Sequence, residues 1–161
     1  KDSESYFRKI HPYHLKQYNN RWFLFGHEES EKYFGITNLA LDRIKDIIET
    51  LEEIVPNTTD WGDFFDEMIG VSIPIDKEAV EVILRFSAKR IPYVLTKPLH
   101  GVSQRLDKTD PENRTIILNL LPNKEMYQTL LSFGSDVEVL SPTEVVNKMR
   151  TISDKINTYY N

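Results

Sequence analysis

The chain has 161 residues, 25 acidic against 20 basic side chains, a formal net charge of −5 and no cysteine. That length holds one medium domain or two small ones, and the acidic balance argues against a surface coated with base for gripping duplex DNA. The lack of cysteine excludes disulfide scaffolds, thiolate metal sites and thiol nucleophiles; it fits a reducing compartment, and a cytoplasmic location is expected. No apolar run reaches the roughly 18–20 residues that span a bilayer, so no membrane segment is expected. Lys1-Asp2-Ser3-Glu4-Ser5 is polar and has neither a signal-peptide apolar core nor an initiator Met, so further chain is expected ahead of Lys1.

From Tyr6 to Leu41 the sequence reads as short strands. Ile10 to Tyr18 carries Pro12, which cannot donate to a ladder and so suits an edge strand or a strand start. Asn19-Asn20 is a turn, because Asn tolerates positive φ. Trp22-Phe23-Leu24-Phe25 is an aromatic strand expected to end at Gly26, His27 to Lys32 a polar loop, and Tyr33 to Leu41 the next strand. The spacing predicts a small, strongly bent sheet or barrel. Ile44, Ile47, Ile48, Leu51 and Ile54 recur at helical spacing, yet their β-branched content also permits a strand. Pro56-Asn57-Thr58-Thr59 breaks the chain. Asp60 is then placed to cap a short helix from Trp61 to Met68, with Asp63 at its third position and Gly70 as its stop.

The second half has a cleaner rhythm. Glu78 to Phe86 alternates as a strand. Ala88 to Leu95 is a short helix interrupted early by Pro92. Gly101 to Leu106 and Thr115 to Leu121 are strands joined through the turn Asp110-Pro111-Glu112-Asn113. Lys124 to Phe133 is a helix closed by Gly134, and Val137 to Leu140 is a strand. Ser141 is expected to cap a last helix with Pro142 first and Glu144 third, a capping box. The order β-α-β-β-α-β plus a terminal helix is the ferredoxin-like pattern. No internal repeat or low-complexity tract is visible.

Three groups of residues in the first third then form an ordered set: Pro12-Tyr13-His14-Leu15, Arg21-Trp22-Phe23-Leu24-Phe25-Gly26 and Leu41-Asp42-Arg43-Ile44. This set resembles the WYL domain family, with Trp22-Phe23-Leu24 where the family's Trp-Tyr-Leu stands. The second half resembles WCX, the C-terminal extension that accompanies WYL domains, through Val82-Ile83-Leu84-Arg85-Phe86, Lys97-Pro98-Leu99-His100, Ser103-Gln104, and Phe133-Gly134 followed by Val137 to Pro142. The resemblance implies an α+β chain, an Sm- or SH3-like small β-barrel followed by a ferredoxin-like βαββαβ domain. It divides the chain into a WYL domain at 1–55, a linker with a short helix at 56–76 and a WCX-like domain at 77–161. It further implies a homodimeric transcription regulator that senses a nucleotide or single-stranded nucleic acid, and that meets duplex DNA through a helix-turn-helix domain ahead of this chain. The family's first strand is also expected before Lys1. Two positions depart from the family: Phe23 lacks the Tyr hydroxyl, and Asn38 stands where a second Arg is common.

Several residue patterns bear on that reading. No acid occurs between Glu4 and Glu28, while Arg8, Lys9, His11, His14, Lys16 and Arg21 alternate with Tyr13, Tyr18, Trp22, Phe23 and Phe25. Cations neutralise phosphate and ring faces stack bases, which is what a single-stranded nucleic acid or nucleotide needs. The plainer alternative is rings in a core and cations on a solvated face. Arg43, between apolar neighbours, is placed to offer a bidentate fork to phosphate, or else to pair internally with Asp42 or Asp46. The expected ligand site is therefore Tyr13, His14, Lys16, Trp22 and Arg43, although the reading of Trp22 as core is the stronger one for that residue. A second acid-free window, Val82 to Leu106, reads either as an extension of the groove or as a dimer or solubility face. Catalytic residues, metal ligands and cofactors are not expected. The four histidines lack metal-type spacing, His11 and His14 are three apart and so point to opposite faces of a strand, and Ser103 beside His100 lacks a nucleophile elbow. Three functions compete: a ligand-sensing regulator module, a stand-alone Sm-like nucleic-acid binder, and a dimerisation platform that binds nothing specific.

Overall fold

A computed structural model describes residues 6–30, 33–74 and 78–160. The linker's expected end at Asp76, the domain start at 77, and residues 31–32 of the expected loop lie outside them. The chain is α+β, with two antiparallel sheets of three and four strands and four helices among the described residues. It divides into two compact units, Lys1–Trp61 and Gly62–Asn161.

The first unit is a meander of β1 (Ile10–Tyr18), β2 (Arg21–Ser30) and β3 (Tyr33–Ala40), in the order β1-β2-β3. Asn19 and Asn20 both have positive φ, 48° and 60°, and join Tyr18 to its partner Arg21. Two left-handed residues make a primed turn, whose twist matches that of the strands it connects. Pro12 sits on the edge strand, where its missing N–H leaves no gap in the ladder. The register shifts there: Pro12 faces Gly26 and His14 faces Phe25, so Tyr13 is an extra residue. The bulge corrects the expectation about the histidines. His11 faces His27 and His14 faces Phe25, so both point to one side of the sheet.

Gly26 does not end β2, and His27 to Ser30 are strand rather than loop. A Cβ on Gly26 would meet the His11 carbonyl oxygen at 2.4 Å, so this glycine serves a close approach of strands. The polar run continues the strand because its carboxylate is satisfied: Glu28 is buried and takes two hydrogen bonds from Arg8, one of them Nε to Oε1 at 3.0 Å. After β3 a single 3-10 turn, Leu41–Arg43, leads into residues 44–60, which form neither helix nor strand. The helical spacing of Ile44 to Ile54 is therefore not expressed. Ile47, Ile48, Leu51 and Ile54 stand exposed, and amphipathic spacing gains nothing without an apolar surface to cover.

In the second unit, β4 (Val80–Phe86), β5 (Arg105–Leu106), β6 (Thr115–Leu120) and β7 (Val137–Ser141) form a sheet in the order β5-β6-β4-β7. Helices α1 (Trp61–Asp66), α2 (Ile91–Thr96), α3 (Lys124–Ser132) and α4 (Thr143–Asn157) complete the set. Alternation puts Val82, Leu84 and Phe86 of β4 beside Ile116, Leu118 and Leu120 of β6, all at most 1 % exposed. Ile91, Val94, Met126, Leu130 and Val145 close over them. Pro92 lies in the first turn of α2, where a missing N–H costs no helical bond.

Other boundaries move. β5 begins at Arg105, because Gly101 to Ser103 are turn. Ser141 is the last residue of β7 rather than a cap, and Pro142 occupies the N-cap of α4 without a side-chain bond, so there is no capping box. The cap that does form is Asn123 on α3, whose Oδ1 accepts from Met126 N–H at 2.9 Å. Helix α1 stops at Asp66, four residues before Gly70. Residues 67–72 are bonded into the second unit: Leu121 N–H donates to Glu67 O, and Asn123 Nδ2 to Ile69 O and Ser72 O.

Candidate ligand site on the first sheet

Register and alternation sort the first sheet into two faces. One face carries three rungs: Lys16–Phe23–Ala40, His14–Phe25–Asn38 and His11–His27–Ile36. The other carries Leu15–Leu24–Leu39 and Gln17–Trp22. The structure thus brings His14 and Lys16 together and sets Trp22, 48 % exposed, on the opposite side. Trp22 is neither core nor a neighbour of the other expected site residues.

The His14 face is lined with rings. Phe25 is fully buried, and Trp61 stacks on His14 with centroids 5.1 Å apart and planes at 14°. Trp61 also meets Phe25 edge-on at 5.8 Å and Tyr13 at 6.5 Å. Tyr13 and His11 together hold the irregular segment. The Tyr13 hydroxyl donates to Val55 O at 2.8 Å, and Val55 N–H donates to His11 Nδ1 at 3.1 Å. An accepting Nδ1 places the ring proton on Nε2, which is buried and has no hydrogen-bond partner among the described residues. Burial, with a smaller contribution from Glu29, raises the Tyr13 phenol above its ordinary value. At this edge Lys9 also pairs with Glu52, which raises the ammonium pKa and lowers the carboxyl one, both on fully exposed groups.

The acid-free window in the sequence is not acid-free in space. Arg8 is bound to Glu28 and Thr37, Lys9 to Glu52, and Arg21 to Asp42 at 3.0 Å. Arg43, in the turn directly after Ala40, differs: among the described residues it forms no ion pair. Of its two neighbouring carboxylates, Asp42 pairs with Arg21, and Asp46 accepts from Ile47 N–H at 2.9 Å. A guanidinium without a carboxylate partner, at the end of a ring-lined face, is suited to an anion.

The chain matches the WYL domain over residues 1–49 and the WCX domain over residues 78–156. It is a WYL–WCX protein. Proteasome accessory factor B/C (PafBC) of Arthrobacter aurescens is similar at 16% identity and a TM-score of 0.36, over 88% of this chain and 21% of that one. This chain therefore spans about a fifth of that protein's length. No curated protein matches the chain.

Within this WYL unit, both family departures fall on the ring-lined face. Phe23 shares a rung with Lys16, and Asn38 shares one with His14 and Phe25. Phe23, Phe25 and Asn38 could have been assigned to the site from strand alternation once His14 was chosen. Trp61 could not, because it comes from outside the sheet and nothing in its local sequence marks it. In the WCX unit the second acid-free window is also paired in space: Arg85 with Glu138, Arg90 with Asp136 and Arg105 with Glu81. His100 and Ser103 share a 2.7 Å hydrogen bond, and Ser103 Oγ accepts from Asn119 N–H at 3.0 Å, which ties this turn to β6. Among the described residues no group of three or more His, Asp or Glu is arranged to hold a metal ion, and no helix is long and apolar enough to cross a membrane.

Proposed function

We propose that this WYL–WCX chain is the effector-sensing part of a transcription regulator, and that its first unit binds a nucleotide or single-stranded nucleic acid on the His14 face. Arg43 is the principal phosphate contact, with Tyr13, His14 and Lys16 lining the surface. Trp22, on the opposite face, is outside it. The observation that carries this reading is Arg43: the one cation set by the family signature is exposed, forms no ion pair among the described residues, and stands in the turn directly after the Lys16–Phe23–Ala40 rung of the ring-lined face. Rings accept bases with little sequence preference, and a fork of N–H donors accepts phosphate. On this reading the first unit is an open relative of the Sm- or SH3-like barrel. The second is ferredoxin-like, which its β-α-β-β-α-β order and β5-β6-β4-β7 sheet support. A domain ahead of this chain meets duplex DNA.

The second unit serves as a homodimer platform. Along α4 and β7 lies an open, mostly apolar groove of about 530 Å³, lined by Leu131, Val139, Val146, Met149, Ile156 and Tyr160. The pairing of Arg8, Lys9, Arg21, Arg85, Arg90 and Arg105 favours a second reading, a dimerisation platform that binds no effector. A low-salt binding screen of mononucleotides and short single-stranded DNA and RNA separates the two. The first reading expects saturable binding by at least one class, and the second expects none.

A further inference from the structure

The ligand face is already occupied by a ring from the chain itself. Trp61 lies nearly parallel to His14, edge-on to Phe25 and tilted to Tyr13. These contacts resemble those a nucleobase would make, because stacking depends on a flat π-face and little on what the ring is. Trp61 does not belong to the sheet. It arrives at the end of residues 44–60, which have no regular structure, and it is both the last residue of the first unit and the first of α1.

We propose that Trp61 is a built-in plug, an intramolecular stand-in for a base, which a base-bearing ligand displaces from His14. This rests on the ligand-site reading above and adds its regulation. Three features support exchange over permanent packing. The tether is irregular, so the indole can leave without breaking a strand pair. The tether is also clamped at Val55, six residues upstream, by His11 and Tyr13. A ring on so short a leash returns at high effective concentration and competes continuously with ligand. Finally, Trp61 opens α1, so its departure frees the start of that helix by chain continuity. The plug lowers apparent affinity by the fraction of time the slot is closed.

The test compares wild type with Trp61→Ala and Trp61→Phe, titrated with a short oligothymidylate and with an abasic phosphodiester of the same length. Losing one aromatic contact should tighten oligothymidylate binding roughly three- to tenfold in Trp61→Ala, with Trp61→Phe between it and wild type. The abasic probe, which brings no ring, should bind all three proteins alike. A general structural role would shift both probes together. If wild type binds oligothymidylate and neither variant binds it more tightly, the plug is wrong; weaker binding by Trp61→Ala would make Trp61 part of the platform instead. If Trp61→Ala fails to fold, Trp61→Phe alone decides by the same comparison. If neither probe binds wild type or variants, the ligand-site reading fails, and the plug with it.

Discussion

Single residues here are defined by what occupies their neighbours. Asp42 is the sequence neighbour of Arg43, yet it pairs in space with Arg21 at 3.0 Å. That choice leaves Arg43 available for an anion. Sequence alone left both outcomes open for Arg43, because adjacent side chains on one chain need not point the same way. His100 is a second case. It is 6 % exposed, and burial lowers its pKa below the ordinary 6.5, with Asp66 opposing weakly. A folded-state value below the unfolded one means that unfolding takes up a proton. The stabilising contribution is complete above pH 6.5 and is lost as pH falls through that value toward the folded one. His100 should therefore titrate below 6.5 by NMR, and His100→Gln should flatten the loss of stability on acidification in that window. A His100 titration at or above 6.5 would contradict this. The lowered carboxyls act in a separate, more acidic window: Asp107 through Thr109, Asp110 through Thr115, and Asp136 through Ser87 and Arg90.

Among elements, the strands and α3 were largely legible because alternation and capping are local. Val82, Leu84 and Phe86 show their buried face in the sequence, and Asn19-Asn20 shows its turn. What was not legible depends on partners. The bulge at Tyr13 reverses the parity of everything before it, and no pattern in Ile10 to Tyr18 reveals it. Gly26 looked like a strand end because glycine is ambiguous until a close approach is seen. Ile44 to Ile54 reads as helix or strand and is neither, because spacing records the potential for a face and not the surface it needs. Of the proposed site, His14 and Arg43 lie in the family motifs and Lys16 in the acid-free window, but Trp61 enters from a distant segment. Gly26→Ala tests the bulge account. Its methyl would strike the His11 backbone, which cannot move without disturbing the pairing, so the first unit should lose about 1–3 kcal/mol. Both tryptophans, Trp22 and Trp61, lie in that unit, so urea unfolding followed by tryptophan fluorescence reports it. A midpoint equal to that of wild type would contradict the account.

For the whole molecule, the proposed reading gives the groove on α4 and the His14 face different duties. An apolar groove gains by excluding water against another apolar surface, and Ile156 stands 41 % exposed among its lining residues. Light scattering should give twice the 18.9 kDa chain mass at micromolar concentration, and Ile156→Glu should shift it toward one chain mass with unchanged circular dichroism. A single-chain mass for wild type over a broad concentration range would remove the dimer.

The effector face is tested most directly by salt and Arg43 together. Labelled single-stranded oligonucleotides and nucleotides are titrated into wild type, Arg43→Ala and Arg43→Lys at two salt concentrations. Wild type should weaken as salt rises, since counterion release from phosphate drives binding. Arg43→Ala should lose on the order of tenfold, as for one charge-assisted contact, and its salt dependence should be shallower. Arg43→Lys should fall between, keeping charge but losing the fork. No binding by wild type at low salt, or Arg43→Ala binding as tightly as wild type, would contradict the account.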